Sequence, residues 1–199
     1  MFTDKEILEE IKKIQYFHGL KLEIRYGEGR TDLTESVAEH IYGMHVLSLY
    51  FLELEDPQNT WAKARIYEMI TWHDIDELET GDIIGYKKTD ADKAREKHAI
   101  KHVFEKAPVV ITGKIRSIIE EYQEQTSIES HFVKALDKIE PIFQIYNENG
   151  KRVLIKNKTT HHEHHRIKDV YVKDFPYMKK FNDVISLKME KEGFFTQDT

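Results

Sequence analysis

The chain has 199 residues, 30 Lys and Arg against 36 Asp and Glu, 11 histidines and no cysteine. A net charge of −6 with no long basic run argues against a partner that presents a phosphate backbone, and an anionic ligand would need a local cation. Without thiols there is no disulfide framework, no cysteine nucleophile and no thiolate metal site, so any metal centre must be built from histidine and carboxylate. At 40% hydrophobic and 33% charged, the composition is that of one soluble globular domain over residues 1–199. The apolar runs fall far short of the roughly 20 residues that cross a bilayer. The acidic, amphipathic start MFTDKEILEE is unlike a signal peptide, so a cytoplasmic location without membrane attachment is expected.

Glycine and proline are scarce and most of the chain reads at helical period, which predicts an all-α helical bundle of seven or so helices. The first, about Asp4 to Leu20, sets Ile7, Leu8, Ile11, Ile14 and Phe17 on one stripe. The second follows the capping candidates Asp32 and Thr34 and runs to about Leu54; a third lies between Pro57 and Trp72. After a Thr80-Gly81-Asp82 break come helices near Asp90–Lys106, Val110–Gln125, Ile128–Tyr146 and Tyr177–Glu192. The stretch 147–168 departs from the pattern. It holds Asn-Glu-Asn-Gly, the β-like Arg152-Val153-Leu154-Ile155 and His161-His162-Glu163-His164-His165, and reads as an exposed loop or small hairpin. Dense histidine can bind metal, but a solvated loop with adventitious affinity is the blander account of that tract.

Three helical patches put metal-type ligands on or beside an apolar face. Val37, Ile41, Met44, Leu47 and Phe51 form the buried arc of the second helix, and His40 falls inside it. Alone, such a histidine is more often a hydrogen-bonded core residue than a ligand. In Trp72-His73-Asp74-Ile75-Asp76-Glu77 a His-Asp pair stands at the inner end of a core helix, with Glu77 one turn beyond His73. Phe132, Val133, Leu136, Ile139 and Phe143 make a third arc with Asp137 at its edge and Glu140 within it, and a carboxylate there needs a partner such as a cation or a histidine.

Taken together, His40, His73-Asp74 and Asp137 in helical context resemble the signature of the HD-domain superfamily of metal-dependent phosphohydrolases. Glu35-Ser36-Val37-Ala38-Glu39-His40, His73-Asp74-x-x-Glu77 with Thr80-Gly81-Asp82, and Leu136-Asp137-Lys138-Ile139-Glu140 are similar to the motifs of its 5′-deoxynucleotidase-like subgroup, over about residues 10–147. The resemblance implies an HD-domain fold, with His40, His73, Asp74 and Asp137 as ligands of one divalent metal ion. It implies Glu77 as the acidic residue beside the attacking water and Asp82 at the sugar end of a nucleotide, where it counts as both catalytic and substrate-binding. Arg25, Tyr26 and Arg30 match family positions near the substrate; tryptophan is usual where this chain has Tyr26. Homodimers are common in the subgroup, and one is expected here.

The residue chemistry agrees. Two imidazoles and two carboxylates leave open positions on a divalent ion, which can polarise a phosphate oxygen and activate water. Such a set suits Mn²⁺, Co²⁺, Fe²⁺, Zn²⁺ or Mg²⁺ and does not choose among them. The expected function is hydrolysis of (deoxy)ribonucleoside 5′-monophosphates. A hydrolase of nucleoside triphosphates or guanosine tetraphosphate-like pyrophosphates is one alternative, and a non-catalytic metal-binding interaction module is another. His98 and His102, four apart on a charged helix, can grip a second metal or simply line a solvated face.

Overall fold

The computed structural model describes residues 2–27, 29–31, 34–83 and 88–197; the capping candidate Asp32 lies outside them. The described residues form ten α-helices and short 3₁₀ turns, with no β-strand among them, as the helical periodicity predicts. None of these helices is long and apolar enough to cross a membrane. The chain divides into two compact units, residues 1–41 with 68–124, and residues 42–67 with 125–199.

The first unit contains α1 (Asp4–Phe17), the first turn of α2 (Val37–Glu55), the end of α3 (Lys63–Trp72), α4 (Glu77–Thr80), α5 (Asp90–Lys106) and α6 (Val109–Glu124). Ile75, Val103, Ile115 and Ile119 are its buried centre, and Phe17, Trp72, Leu78 and Phe104 pack around them. Each such side chain contributes about 1.5–3 kcal/mol on burial. The stripe foreseen on α1 forms but does not go inside: Ile7, Leu8, Ile11 and Ile14 are exposed, and the helix has no buried residue. Its last turn is what reaches the core, where Phe17 meets Trp72 edge-on at 5.1 Å and Tyr16 donates to Glu79, which Lys106 also holds. A 3₁₀ turn, His18–Lys21, then closes the helix and buries Leu20. Ser36, in place of the expected Asp32 or Thr34, caps α2: its N–H donates to Glu39 Oε2 at 2.6 Å and its Oγ accepts from the Glu39 N–H at 3.3 Å.

The second unit holds the rest of α2 and α3, then α7 (Ile128–Ile145), α8 (Glu148–Lys156), α9 (His161–Val172) and α10 (Pro176–Lys191). Helix α3 starts six residues after Pro57 because Asp56 accepts the N–H groups of Thr60 and Trp61, both at 2.9 Å, and so holds that segment as a turn. Helices α7, α9 and α10 pack on one another. Phe132 and Phe175 are fully buried, with Trp61 against both rings at 5.2 and 6.0 Å. On α7, Phe132, Val133, Leu136 and Ile139 are buried as the spacing predicts, whereas Phe143 is exposed and Ile142 takes the inner position.

The loop or hairpin expected over 147–168 is corrected to two helices, α8 and α9. Asn147 caps α8 by accepting the Gly150 N–H at 2.9 Å, and Thr160 and Glu163 form a capping box on α9. Val153 and Leu154 are adjacent, so a strand would send them to opposite faces; in α8 both are buried, and that burial outweighs their β-propensity.

Candidate metal centre

His40 sits in the first turn of α2 with no solvent exposure; its N–H donates to the Ser36 carbonyl at 3.0 Å. His73 directly follows α3, its N–H donating to the Met69 carbonyl at 2.9 Å, and Asp74 begins the turn that leads into α4. An antiparallel bridge between Ile24 and Ser36 brings the 23–26 segment alongside, with the Arg25 N–H on the Glu35 carbonyl at 3.0 Å. Gly81 ends α4 at φ 69° and ψ 166°, a region that only glycine visits readily, and so turns Asp82 back. Asp82 Oδ2 then accepts the Tyr26 N–H at 2.7 Å, and Tyr26 itself is held at φ 66°.

These elements bring His40, His73 and Asp74 together. The Nδ1–H of His73 donates to the Ile70 carbonyl at 2.9 Å, so a neutral ring carries its lone pair on Nε2. That Nε2 is buried, makes no hydrogen bond, and lies 3.1 Å from Asp74 Oδ2. Two electron-rich atoms at that separation repel unless a cation lies between them. His40 Nε2 is 3.9 Å from the same oxygen, and the three residues can each offer one ligand atom within 4.8 Å of the others. A divalent ion with bonds of about 2.0–2.2 Å sets neighbouring ligands about 3–3.5 Å apart, so small side-chain movements complete the grip. The donor set fits a divalent metal.

Around it lies a ring of charge. The buried Arg25 guanidinium reaches Glu35 Oε1 at 3.2 Å, Asp74 Oδ2 at 3.5 Å and Asp82 Oδ1 at 3.7 Å. Burial, then the carboxylates of Asp74 and Asp82, push the Glu77 carboxyl well above its usual range. Burial also pushes Asp76 up, to about 7, with Asp74 and Glu96 adding to it. Lys88 pairs with Glu96 at 2.6 Å. The Tyr122 ring meets His73 edge-on at 5.5 Å. Glu35 and Asp76 stand in the quoted motifs without an assigned role, whereas Lys88, Glu96 and Tyr122 were not foreseen as part of this neighbourhood.

The other candidates lie as follows. Asp137 is buried on α7 in the second unit, with Lys138 Nζ at 2.9 Å and Lys134 Nζ at 3.4 Å from Oδ2. Glu140 is buried too, as its position in the arc predicts. Arg30 forms a two-pronged exposed pair with Glu39, and that guanidinium is the main reason the Glu39 carboxyl is held down at about 2. His98 and His102 stand on the exposed face of α5 with their Nε2 atoms 3.1 Å apart.

Comparison with known proteins bears on the family of the chain. The sequence profile described as HD domain matches residues 17–179. The chain is 32% identical over 112 residues to the 5′-deoxynucleotidase HDDC2 of Homo sapiens, covering 55% of this chain and 52% of that one. It is 32% identical over 122 residues to the protein of that name from Xenopus laevis, covering 59% and 58%. The chain thus spans about half the length of the curated relatives it matches. Among solved structures, a "predicted metal-dependent phosphohydrolase" from Magnetospirillum magnetotacticum MS-1 superposes with a TM-score of 0.80 at 16% identity, over 98% of this chain and 100% of the other. An HD-domain phosphohydrolase from Listeria innocua gives 0.56 at 18% identity, over 90% and 84%. At those identities the likeness is one of fold. The profile match covers most of the chain, and the chain belongs to the HD domain family.

Proposed function

We propose that the chain is a metal-dependent phosphomonoesterase that hydrolyses (deoxy)ribonucleoside 5′-monophosphates to nucleoside and phosphate. The observation that carries this reading is the lone-pair nitrogen of His73 set against the Asp74 carboxylate with His40 beside them. Curated relatives named 5′-deoxynucleotidase support the substrate class. Within the first unit His40, His73 and Asp74 hold one divalent ion, with Mn²⁺, Co²⁺, Fe²⁺, Zn²⁺ and Mg²⁺ all compatible with the donors. When bound, such an ion supplies positive charge beside a phosphate oxygen and acidifies water at neutral pH.

The chain's own residues do the rest. Glu77, buried at the start of α4, orients the water and accepts its proton. The water oxygen bonds to phosphorus as the P–O5′ bond breaks, and the nucleoside O5′ takes a proton from solvent or the one that Glu77 accepted. Asp82 offers acceptors to a sugar hydroxyl, and Tyr26 a flat ring to the sugar. Arg25 keeps Glu35, Asp74 and Asp82 in register, and it reaches a phosphate only when one of those pairs opens; Arg30 must likewise leave Glu39. The expected homodimer is supported by exposed Tyr42, Val46, Leu49 and Tyr50 on the second-unit part of α2, and light scattering tests it.

The decisive experiment is a phosphate-release screen over deoxy and ribo 5′-monophosphates, with each divalent metal added back to stripped protein. Release from dAMP or its relatives, lost in His73→Ala, is the expected result. Turnover of dGTP or guanosine tetraphosphate in its place moves the reading to a pyrophosphate or triphosphate hydrolase. Full metal occupancy with no phosphate released from any nucleotide leaves the non-catalytic module.

A further inference from the structure

The histidine tract 161–165, with no role in the proposed chemistry, is sorted by α9 into different environments. His164 is buried and its ring lies 4.9 Å from that of Phe195; His162 is exposed; His165 is half-buried and points at α10. One turn beyond His165 on the same face stands Asp169, and across on α10 stands Asp183. His165 Nε2 is 3.1 Å from Asp183 Oδ1, and His165, Asp169 and Asp183 each offer one ligand atom within 4.8 Å of the others. Asp169 Oδ1 is shielded from solvent. Lys179 Nζ lies 3.2 Å from that oxygen and 3.0 Å from Asp183 Oδ2, and so bridges the two carboxylates.

We propose that His165, Asp169 and Asp183 form a second metal site, wholly within the second unit, that takes a divalent transition metal and expels the Lys179 ammonium on binding. To bind a metal, His165 must offer a bare Nε2, and the set of one imidazole and two carboxylates then carries two negative charges, which a divalent ion neutralises. A mixed nitrogen and oxygen set favours Zn²⁺, Co²⁺ or Ni²⁺ over Ca²⁺ and Mg²⁺, which prefer oxygen alone. Three protein ligands leave a fourth position for water. The chain supplies its own occupant while no metal is present: Lys179 is half-exposed on a flexible stem, so it can hold the carboxylates together and then swing into solvent.

The test is a Zn²⁺ titration of the metal-stripped full chain against a chromophoric chelator. It uses wild type, His165→Ala/Asp183→Asn, Lys179→Met and, as a control, His162→Ala. The double variant is expected to lose one equivalent of tightly bound Zn²⁺ while keeping its phosphate release, and His162→Ala to lose none. Lys179→Met is expected to tighten that same equivalent by about tenfold, since the competing cation is gone. An unchanged stoichiometry in the double variant, or an unchanged affinity in Lys179→Met, overturns the proposal and shows Lys179 to be the permanent partner of the two carboxylates. Should the double variant unfold, the Lys179→Met affinity decides by itself. The equivalent lost here is counted by metal content, so this proposal and the phosphomonoesterase reading fail separately.

Discussion

His73 Nε2 and Asp74 Oδ2 lie 3.1 Å apart, while the other ring nitrogen of His73 is engaged by the Ile70 carbonyl. With the imidazole neutral, two acceptors this close repel in the metal-free chain, the Arg25 guanidinium 3.5 Å from the same oxygen offsets part of that repulsion, and a metal ion would convert it to attraction. In the presence of a chelator, Asp74→Asn is therefore expected to be the more stable protein, because an amide N–H can donate to Nε2 and one fewer carboxylate crowds Glu77, which together outweigh the lost Arg25 pair. With saturating metal the order reverses, since ligand binding to the native state stabilises wild type by about 2.7 kcal/mol at a hundred times Kd. Urea unfolding with and without chelator measures both. If Asp74→Asn is the less stable protein under both conditions, the pair is an ordinary polar contact.

Asp82 depends on two backbone positions with positive φ. Gly81 at φ 69° and ψ 166° turns the chain, and Tyr26 at φ 66° presents its N–H to Asp82 Oδ2. Gly81→Ala forces a side chain into a conformation worth about 1–3 kcal/mol of strain, so both stability and KM for a nucleotide should suffer. Tyr26→Gly keeps the backbone conformation at little cost and removes the ring, so KM should rise with stability held or raised. Unfolding curves and steady-state kinetics on the two variants separate backbone geometry from the ring. Equal KM in Tyr26→Gly and wild type removes the ring from substrate binding.

The site was legible in the sequence to the extent that its residues lie on helices. His40, Asp137 and Glu140 are buried where the 3.6-residue period put them, because a helix fixes direction from spacing alone. Arg25 with Glu35 and Lys88 with Glu96 were not legible as pairs, since loop geometry brings the first together and an element's start the second. On α1 the period was right and its meaning was not: the stripe exists, but a period says nothing about whether a partner covers it. The segment 147–168 failed for the opposite reason. Its turn-like Asn-Glu-Asn-Gly and β-like run are local signals, and the packing of α8 on α7 overrides them.

That packing turns on Gly150, which is not a turn glycine. A Cβ built on it would lie 1.9 Å from the Ile145 carbonyl oxygen, a backbone atom that cannot rotate away. Gly150→Ala is expected to cost about 1–3 kcal/mol by overpacking, although alanine is the better helix former. The loss should appear in urea unfolding and as faster amide exchange in α8. A variant as stable as wild type would mean that the α7–α8 junction is looser than its geometry implies.

Near the candidate metal centre, α5 begins with a capping box in which the Thr89 Oγ–H and N–H donate to Asp92 Oδ2 at 2.7 and 2.9 Å. Those two bonds hold the Asp92 carboxyl below its usual value. A carboxyl depressed in the folded state contributes stability that is present above its unfolded value, about 3.9, and is lost as the pH falls through the lower folded value. Acid should therefore fray the start of α5, next to the Lys88–Glu96 pair. Thr89→Val removes the hydroxyl, so the Asp92 carboxyl should titrate nearer its usual value and the α5 first-turn amides should exchange faster at neutral pH. Carboxyl chemical shifts followed through a pH titration measure the first and hydrogen exchange the second. If Asp92 titrates at the same depressed value in both proteins, Arg95, whose guanidinium lies 3.6 Å away, is the group that holds it down.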